Sequence, residues 1–195
     1  QSASSPDEIH SLDLASGKVE QLTSVNQPLL DQLALNPAEE FWFTSFDGKK
    51  VHGMLVKPPF FDPAKKYPMI YLIHGGPQGA FEDGFHYRWN PALFAAPGYV
   101  AVFVNFRGST GYGQAWTDAV SRDWGGGPYK DLMAGIDYLL KTFPFIDGER
   151  MAAAGIEARI PGDADRAIVH RIIYDELVQG VIRDAAKLPD NAFFV

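Results

Sequence analysis

Two glycine-rich loops hold the groups in this sequence best placed to do chemistry. The first is His74-Gly75-Gly76-Pro77-Gln78-Gly79, directly after the apolar run of residues 67–73. Glycines at such a point let the chain turn sharply and let backbone approach a ligand closely. Aimed at a developing negative charge, the N–H groups of Gly75 or Gly76 would stabilise an oxyanion. A plain tight turn with no chemistry is the alternative. The second loop is Asn105-Phe106-Arg107-Gly108-Ser109-Thr110-Gly111-Tyr112-Gly113, again directly after an apolar run, residues 99–104. It has neither the GxGxxG spacing nor the Gly-Lys-Ser/Thr ending of a phosphate loop. Arg107 is expected to pair with a carboxylate on a neighbouring loop rather than to act in catalysis.

A third glycine-rich stretch, Asp123-Trp124-Gly125-Gly126-Gly127-Pro128-Tyr129-Lys130-Asp131, leads into a helical pattern. Pro128 suits a first helical turn. Asp131 either complements the positive end of the helix dipole or serves as the partner of Arg107. The sequence has no cysteine, which removes disulfides, thiolate metal sites and a cysteine nucleophile. No cofactor motif and no metal-ligand spacing is present, so no cofactor or metal is expected.

The elements that must position these loops follow from periodicity. Residues 8–14 alternate apolar and polar, residues 15–18 read as a turn, and residues 19–23 as a returning strand. Residues 24–38 are loop-like. Residues 40–45 and 51–56 flank Asp47-Gly48, a strong hairpin signal. The near-continuous apolar runs at 67–73 and 99–104 suit strands covered on both faces. Residues 91–96 read as a short helix stopped by Pro97-Gly98. Residues 129–143 have helical period, with Leu132, Ile136, Tyr138, Leu139 and Leu140 on the apolar face. Residues 151–155 read as a short buried strand. After Pro161-Gly162, residues 163–187 form an amphipathic helical pattern, whose Val169, Ile173, Leu177 and Val181 are expected to pack on the sheet.

Composition sets the class. Of the 195 residues, 46% are hydrophobic and 21% charged, an ordinary globular balance. The net charge of −7 and the lack of a Lys/Arg run argue against nucleic acid. No stretch has membrane-spanning length. The opening residues lack the basic and apolar regions of a signal peptide, and the first residue is not Met. A cytoplasmic location is the expectation, as is a chain that is processed or is part of a longer one. The oligomeric state is left open.

The motifs together resemble the prolyl oligopeptidase family of serine peptidases, specifically its acylaminoacyl-peptidase and dipeptidyl-aminopeptidase-like branch. The matching stretches are residues 43–48, 51–53, 68–79, 105–113, 124–131 and 137–139, and the resemblance covers about residues 6–155. It implies a β-propeller followed by an α/β-hydrolase domain. The fold class expected is therefore α/β: a partial α/β-hydrolase sheet, mixed with a mostly parallel core. An N-terminal β-hairpin would be left from a propeller blade, and an amphipathic helix would close the chain. Residues 1–36 would be the blade remnant and linker, 37–155 the N-terminal half of the hydrolase domain, and 156–195 a strand–helix tail. By the resemblance, Gly76 or Gly75 supplies an oxyanion-hole N–H, and Asn105, Arg107 and Asp131 are structural loop residues. The substrate would be a peptide or an acylated amino acid.

One expected feature is absent. In such enzymes the strand 151–155 runs into Gly-x-Ser-x-Gly, whose serine sits on a sharp turn. Here Ile156-Glu157-Ala158-Arg159-Ile160 follows, and no Gly-x-Ser-x-Gly occurs in the 195 residues. Residues 149–187 instead resemble a segment of the aspartate/glutamate racemase family, whose proton-transfer cysteines are missing. These 195 residues are thus expected to be catalytically incomplete on their own. The alternatives are a non-catalytic chimeric or truncated fragment, or a binding module; a racemase-related protein has only the tail in its favour.

Overall fold

The computed structural model describes residues 1–76 and 78–148. Its elements run β1 (His10–Leu12), β2 (Val19–Gln21), α1 (Gln27–Leu30), β3 (Ala38–Thr44), β4 (Lys50–Val56), β5 (Met69–Leu72), α2 (Pro91–Ala95), β6 (Val100–Asn105), α3 (Gln114–Asp118) and α4 (Gly127–Thr142). The strand expected at 151–155 and the helix expected at 163–187, with its packing residues, lie outside the described residues.

A four-stranded sheet in the order β3-β4-β6-β5 carries the molecule. Its register is set at the β3–β4 turn, where Gly48 takes φ +83° and the Ser45 N–H donates to the Lys49 carbonyl. That conformation suits glycine, as the Asp47-Gly48 signal predicts. Phe41 then stands opposite Gly53, and Phe43 opposite Val51.

The expectation of a mostly parallel core is corrected over this region. β3–β4 and β4–β6 pair antiparallel, and β5–β6 alone pairs parallel. The reason is connectivity. A tight turn can join only antiparallel neighbours, whereas a parallel pair needs a crossover. Among these strands that crossover is the segment through α2, between β5 and β6.

Alternation sorts the side chains onto two covered faces. On one, Phe41, Phe43, Val51, Leu55, Met69, Val100, Val102 and Val104 pack with Leu139 of α4. On the other, Met54, Val56, Ala101 and Phe103 pack with Ala95 of α2. All six residues of β6 are buried, which is what a continuous apolar run in a central strand predicts. Gly135 lets α4 come close to the sheet: a Cβ there would meet Tyr71 Oη at 2.5 Å and Phe43 at 3.1 Å.

Two short helices depart from the sequence reading. α1 forms within the loop-like stretch 24–38, with Pro28 in its first turn. α3 forms directly after the glycine-rich stretch that follows β6, with Gly113 preceding its first residue. Each is too short for amphipathic periodicity to reveal. The β1–β2 hairpin is antiparallel and exposed along its length. Past α4, the Tyr67 N–H donates to the Phe145 carbonyl and the Asp147 N–H to the Tyr67 carbonyl, at 2.7 and 2.8 Å. These bonds make a parallel bridge between Tyr67 and Ile146, beside the start of β5.

Candidate active site

The two glycine-rich loops leave β5 and β6 side by side, because these strands are parallel neighbours ending at Leu72 and Asn105. Both Gly75 and Gly76 are exposed, and Gly76 takes φ +123°. Among the described residues neither of their N–H groups is given to an acceptor. Two exposed glycines thus carry N–H donors at the carboxyl end of a buried sheet.

Three tethers hold this loop against the loop after β6. In the first, His74 stacks on Phe106, with ring centroids 4.5 Å apart and planes 14° from parallel, and its Nε2 lies 2.8 Å from Ser109 Oγ. Ser109 is fully buried and donates its hydroxyl to the Phe106 carbonyl at 2.7 Å. With that proton committed, His74 Nε2–H is the donor to Ser109. His74 Nδ1 lies 3.1 Å from the Gly75 carbonyl. Burial pushes the His74 pKa below its ordinary value, opposed by that carbonyl. The neutral ring carries one proton for these two contacts.

In the second tether, the Thr110 N–H donates to the Gly79 carbonyl at 2.8 Å. In the third, Asn105 grips Phe81 as another strand would. Its Oδ1 accepts the Phe81 N–H at 2.8 Å, and its Nδ2 donates to the Phe81 carbonyl at 3.0 Å.

A serine and a histidine therefore meet beside Gly75, yet the pair is not a nucleophile and its base. The serine is sealed from solvent and its hydroxyl points at a carbonyl. No carboxylate among the described residues hydrogen-bonds to the histidine. A nucleophile must reach substrate and needs an oriented base. Ser109 is instead the clasp between the loops.

Arg107 anchors the second loop from behind. Its guanidinium gives Nε–H and Nη2–H to Asp131, each at 2.8 Å. It also gives Nη1–H and Nη2–H to Asp47, each at 3.1 Å. The Arg107 backbone N–H adds a fifth bond, to Asp131 at 2.9 Å. Asp131, in the first turns of α4, is fully buried and also accepts the Ser45 hydroxyl at 2.5 Å. One arginine thus ties together the β3–β4 turn, the loop after β6 and α4. Hydrogen bonds from Asp131 first, then Asp47, hold its pKa above the already high arginine value. Gly127 leaves room for it, since a Cβ there would sit 2.4 Å from Arg107 Cδ.

Of the residues singled out from sequence, the structure places Gly75, Gly76 and Asn105 on or against the exposed loop, and Arg107 and Asp131 in one buried ion pair. The roles of Asp47, Ser45, Ser109, Tyr112 and His52 were not read. Asp47 carried only a turn signal, and Ser109 only its place in a glycine-rich loop. An apolar cavity of about 280 Å³, lined by Leu33, Leu35, Val56, Phe85, Tyr87 and Leu93, opens near the Val56 end of β4. The Asn105 loop contacts β4 at its other end, at His52.

A mixed sheet covered on both faces, with an open glycine loop at the carboxyl end of its parallel β5–β6 pair, defines the class as α/β hydrolase-like. The prolyl oligopeptidase family model matches residues 85–157, two residues past Gly155. The dipeptidyl-peptidase 5 of Schizosaccharomyces pombe is 44% identical over 136 residues, 68% of this chain and 20% of that protein. The dipeptidyl-peptidase 5 of Aspergillus fumigatus is 42% identical over 141 residues, 71% and 19% respectively. Among solved structures, Pyrococcus horikoshii acylaminoacyl peptidase superposes with a TM-score of 0.65 at 32% identity, over 75% of this chain and 23% of that one. Over its matched part, this chain is similar to the prolyl oligopeptidase family. It spans about a fifth of the length of the curated relatives it matches. The racemase resemblance expected of residues 149–187 is not shown by the comparisons; that stretch lies outside the described residues, and the prolyl oligopeptidase family model reaches into its first part. Among the described residues no helix is long and apolar enough to cross a membrane.

Proposed function

We propose that residues 37–155 supply the N-terminal half of a serine-peptidase hydrolase domain, with Gly75 or Gly76 giving one N–H of its oxyanion hole. Residues 1–36 would be the remnant of a last propeller blade and its linker, and 156–195 the tail. Asn105, Arg107 and Asp131 serve as scaffold for the loop, touching no substrate. The substrate class is a peptide or an N-acylated amino acid, as the names of the relatives indicate. The observation that carries this reading is the pair of exposed, unaccepted glycine N–H groups on a loop tethered at three points. An oxyanion hole works because its donors are held in place before the charge develops, and three tethers provide that.

These 195 residues contain no Gly-x-Ser-x-Gly, so the full chain alone should neither hydrolyse aminoacyl-alanyl 4-nitroanilides nor be labelled by a fluorophosphonate. Co-expressed with the C-terminal hydrolase half of a dipeptidyl-peptidase 5, it should gain hydrolysis. A Gly76→Val change, strained at φ +123°, should then lower kcat by about 10²–10³-fold, the loss of one oxyanion donor. Stoichiometric serine labelling of the chain alone would overturn the incompleteness. Full activity of the complemented Gly76→Val chain would overturn the assignment to Gly76. Cooperative unfolding without complementation would instead favour the reading as a self-sufficient binding module.

A further inference from the structure

His52 and Tyr112 have no role in the reading above, yet they complete the third tether. Tyr112 Oη accepts from Asn105 Nδ2 at 2.8 Å and lies 2.5 Å from His52 Nδ1. Asn105 Nδ2 has two hydrogens, and Phe81 and Tyr112 take them. The Tyr112 hydroxyl, already an acceptor, therefore donates its own hydrogen to His52 Nδ1. That fixes the proton of the neutral His52 ring on Nε2, which faces Glu40 at 3.8 Å. The chain of bonds runs from β4 through Tyr112 to Asn105, and from Asn105 to the backbone of Phe81, five residues past Gly76.

We propose that His52 and Tyr112 are positioning residues for the Gly75–Gly76 loop, acting through the Asn105 amide on Phe81, and that protonating His52 loosens this restraint. The purpose assigned to the loop rests on the proposed function, but the restraint itself does not. A proton on Nδ1 replaces an acceptor with a donor. The Tyr112 hydrogen loses its acceptor, and Asn105 Nδ2, 3.2 Å from Nδ1, meets a cation. The Asn105 amide keeps its two bonds to Phe81 but loses the neighbour that held it against them, so the restraint weakens.

The groups facing His52 set where this occurs. From β3, Glu40 favours the charged ring and Trp42 packs beside it at 4.9 Å between centroids. From β6 and the loop after it come the neutral Asn105 and Tyr112. Burial outweighs Glu40 and pushes the His52 pKa below its ordinary 6.5. The restraint is thus whole at neutral pH and weakens as pH falls through this lowered pKa.

The test is an NMR titration of the full chain from pH 7.5 to 4.5, following the Phe81 amide and the His52 and His74 rings. The Phe81 amide should shift with the His52 midpoint, below 6.5. Its exchange protection, corrected for intrinsic rates, should fall roughly three- to tenfold across that midpoint, the loss of one net hydrogen bond. In Tyr112→Phe the His52 ring should still titrate while the Phe81 response disappears. His74 also packs edge-on against the Phe81 ring, at 5.2 Å between centroids. A His74→Gln chain, which should keep the Phe81 response, separates the two histidines. A Phe81 response that follows His74, or that survives Tyr112→Phe, would overturn the proposal. So would a flat Phe81 amide in the wild-type chain while His52 titrates, a result that does not require any variant to fold. Because no peptidase activity is read, a failed complementation would sink the functional reading and leave this one standing.

Discussion

Replacing Asp131 by Asn tests the claim that one buried ion pair holds the three loops in place. Asp131 accepts four hydrogen bonds: three from Arg107 and one from Ser45. All lie at a fully buried carboxylate. An amide offers one oxygen with two lone pairs, and its NH2 would point at donors. Arg107, itself buried, would keep Asp47 as its one carboxylate partner among the described residues. Removing one partner of a buried pair costs about 3–5 kcal/mol, because the remaining charge is left uncompensated. For a chain of this size each kcal/mol moves Tm by roughly 2–4 °C, so the drop should be about 6–20 °C. Asp47→Asn is the internal control. Asp47 pairs with the same guanidinium, but its side chain is 28% exposed, and solvent should hold the loss to about 1 kcal/mol or less. The assay is thermal and urea unfolding followed by circular dichroism. If Asp131→Asn is too unstable to purify, Ser45→Ala, which removes one of the four bonds, should still cost about 1 kcal/mol. The reasoning fails if Asp131→Asn is no more destabilising than Asp47→Asn.

Acid should erase the difference between wild type and Asp47→Asn. The Arg107 hydrogen bonds hold the Asp47 carboxyl below its ordinary 3.8, so its contribution is present in full above that value and is lost as pH falls through the depressed pKa. Urea midpoints of the two chains should differ at pH 6 and draw together as pH falls below 3.8; a gap that stays constant counts against the pairing. Gly53→Ala should destabilise the sheet although alanine suits a strand no worse than glycine. The added Cβ would lie 2.4–3.0 Å from the ring of Phe41. That ring is wedged among Phe43, Tyr138 and Phe143. Overpacking of this kind costs about 1–3 kcal/mol, and an unchanged Tm would show that the ring has room to move.

Much of the framework was legible in the chain. Apolar runs marked β5 and β6, alternation and Asp47-Gly48 marked the β3–β4 hairpin, and a 3.6-residue period marked α4 to within two residues of its start. These are local signals: burial on both faces demands an unbroken apolar run, and a positive φ favours glycine. The two loops that matter were legible for the same reason, since glycine-rich sequence cannot continue a strand.

What the sequence left open was partnership. That Arg107 needed a carboxylate was readable. That it takes two, 60 residues before it and 24 after it, depends on which loops the sheet order brings together. That Ser109 clasps His74 across 35 residues, and that Tyr112 bridges His52 to Asn105, follows from β6 lying between β4 and β5. Periodicity reports that a side chain is buried, not what it meets there. Hydrogen-bond partners of buried polar groups are fixed by the order and direction of strands, and only the folded sheet supplies these.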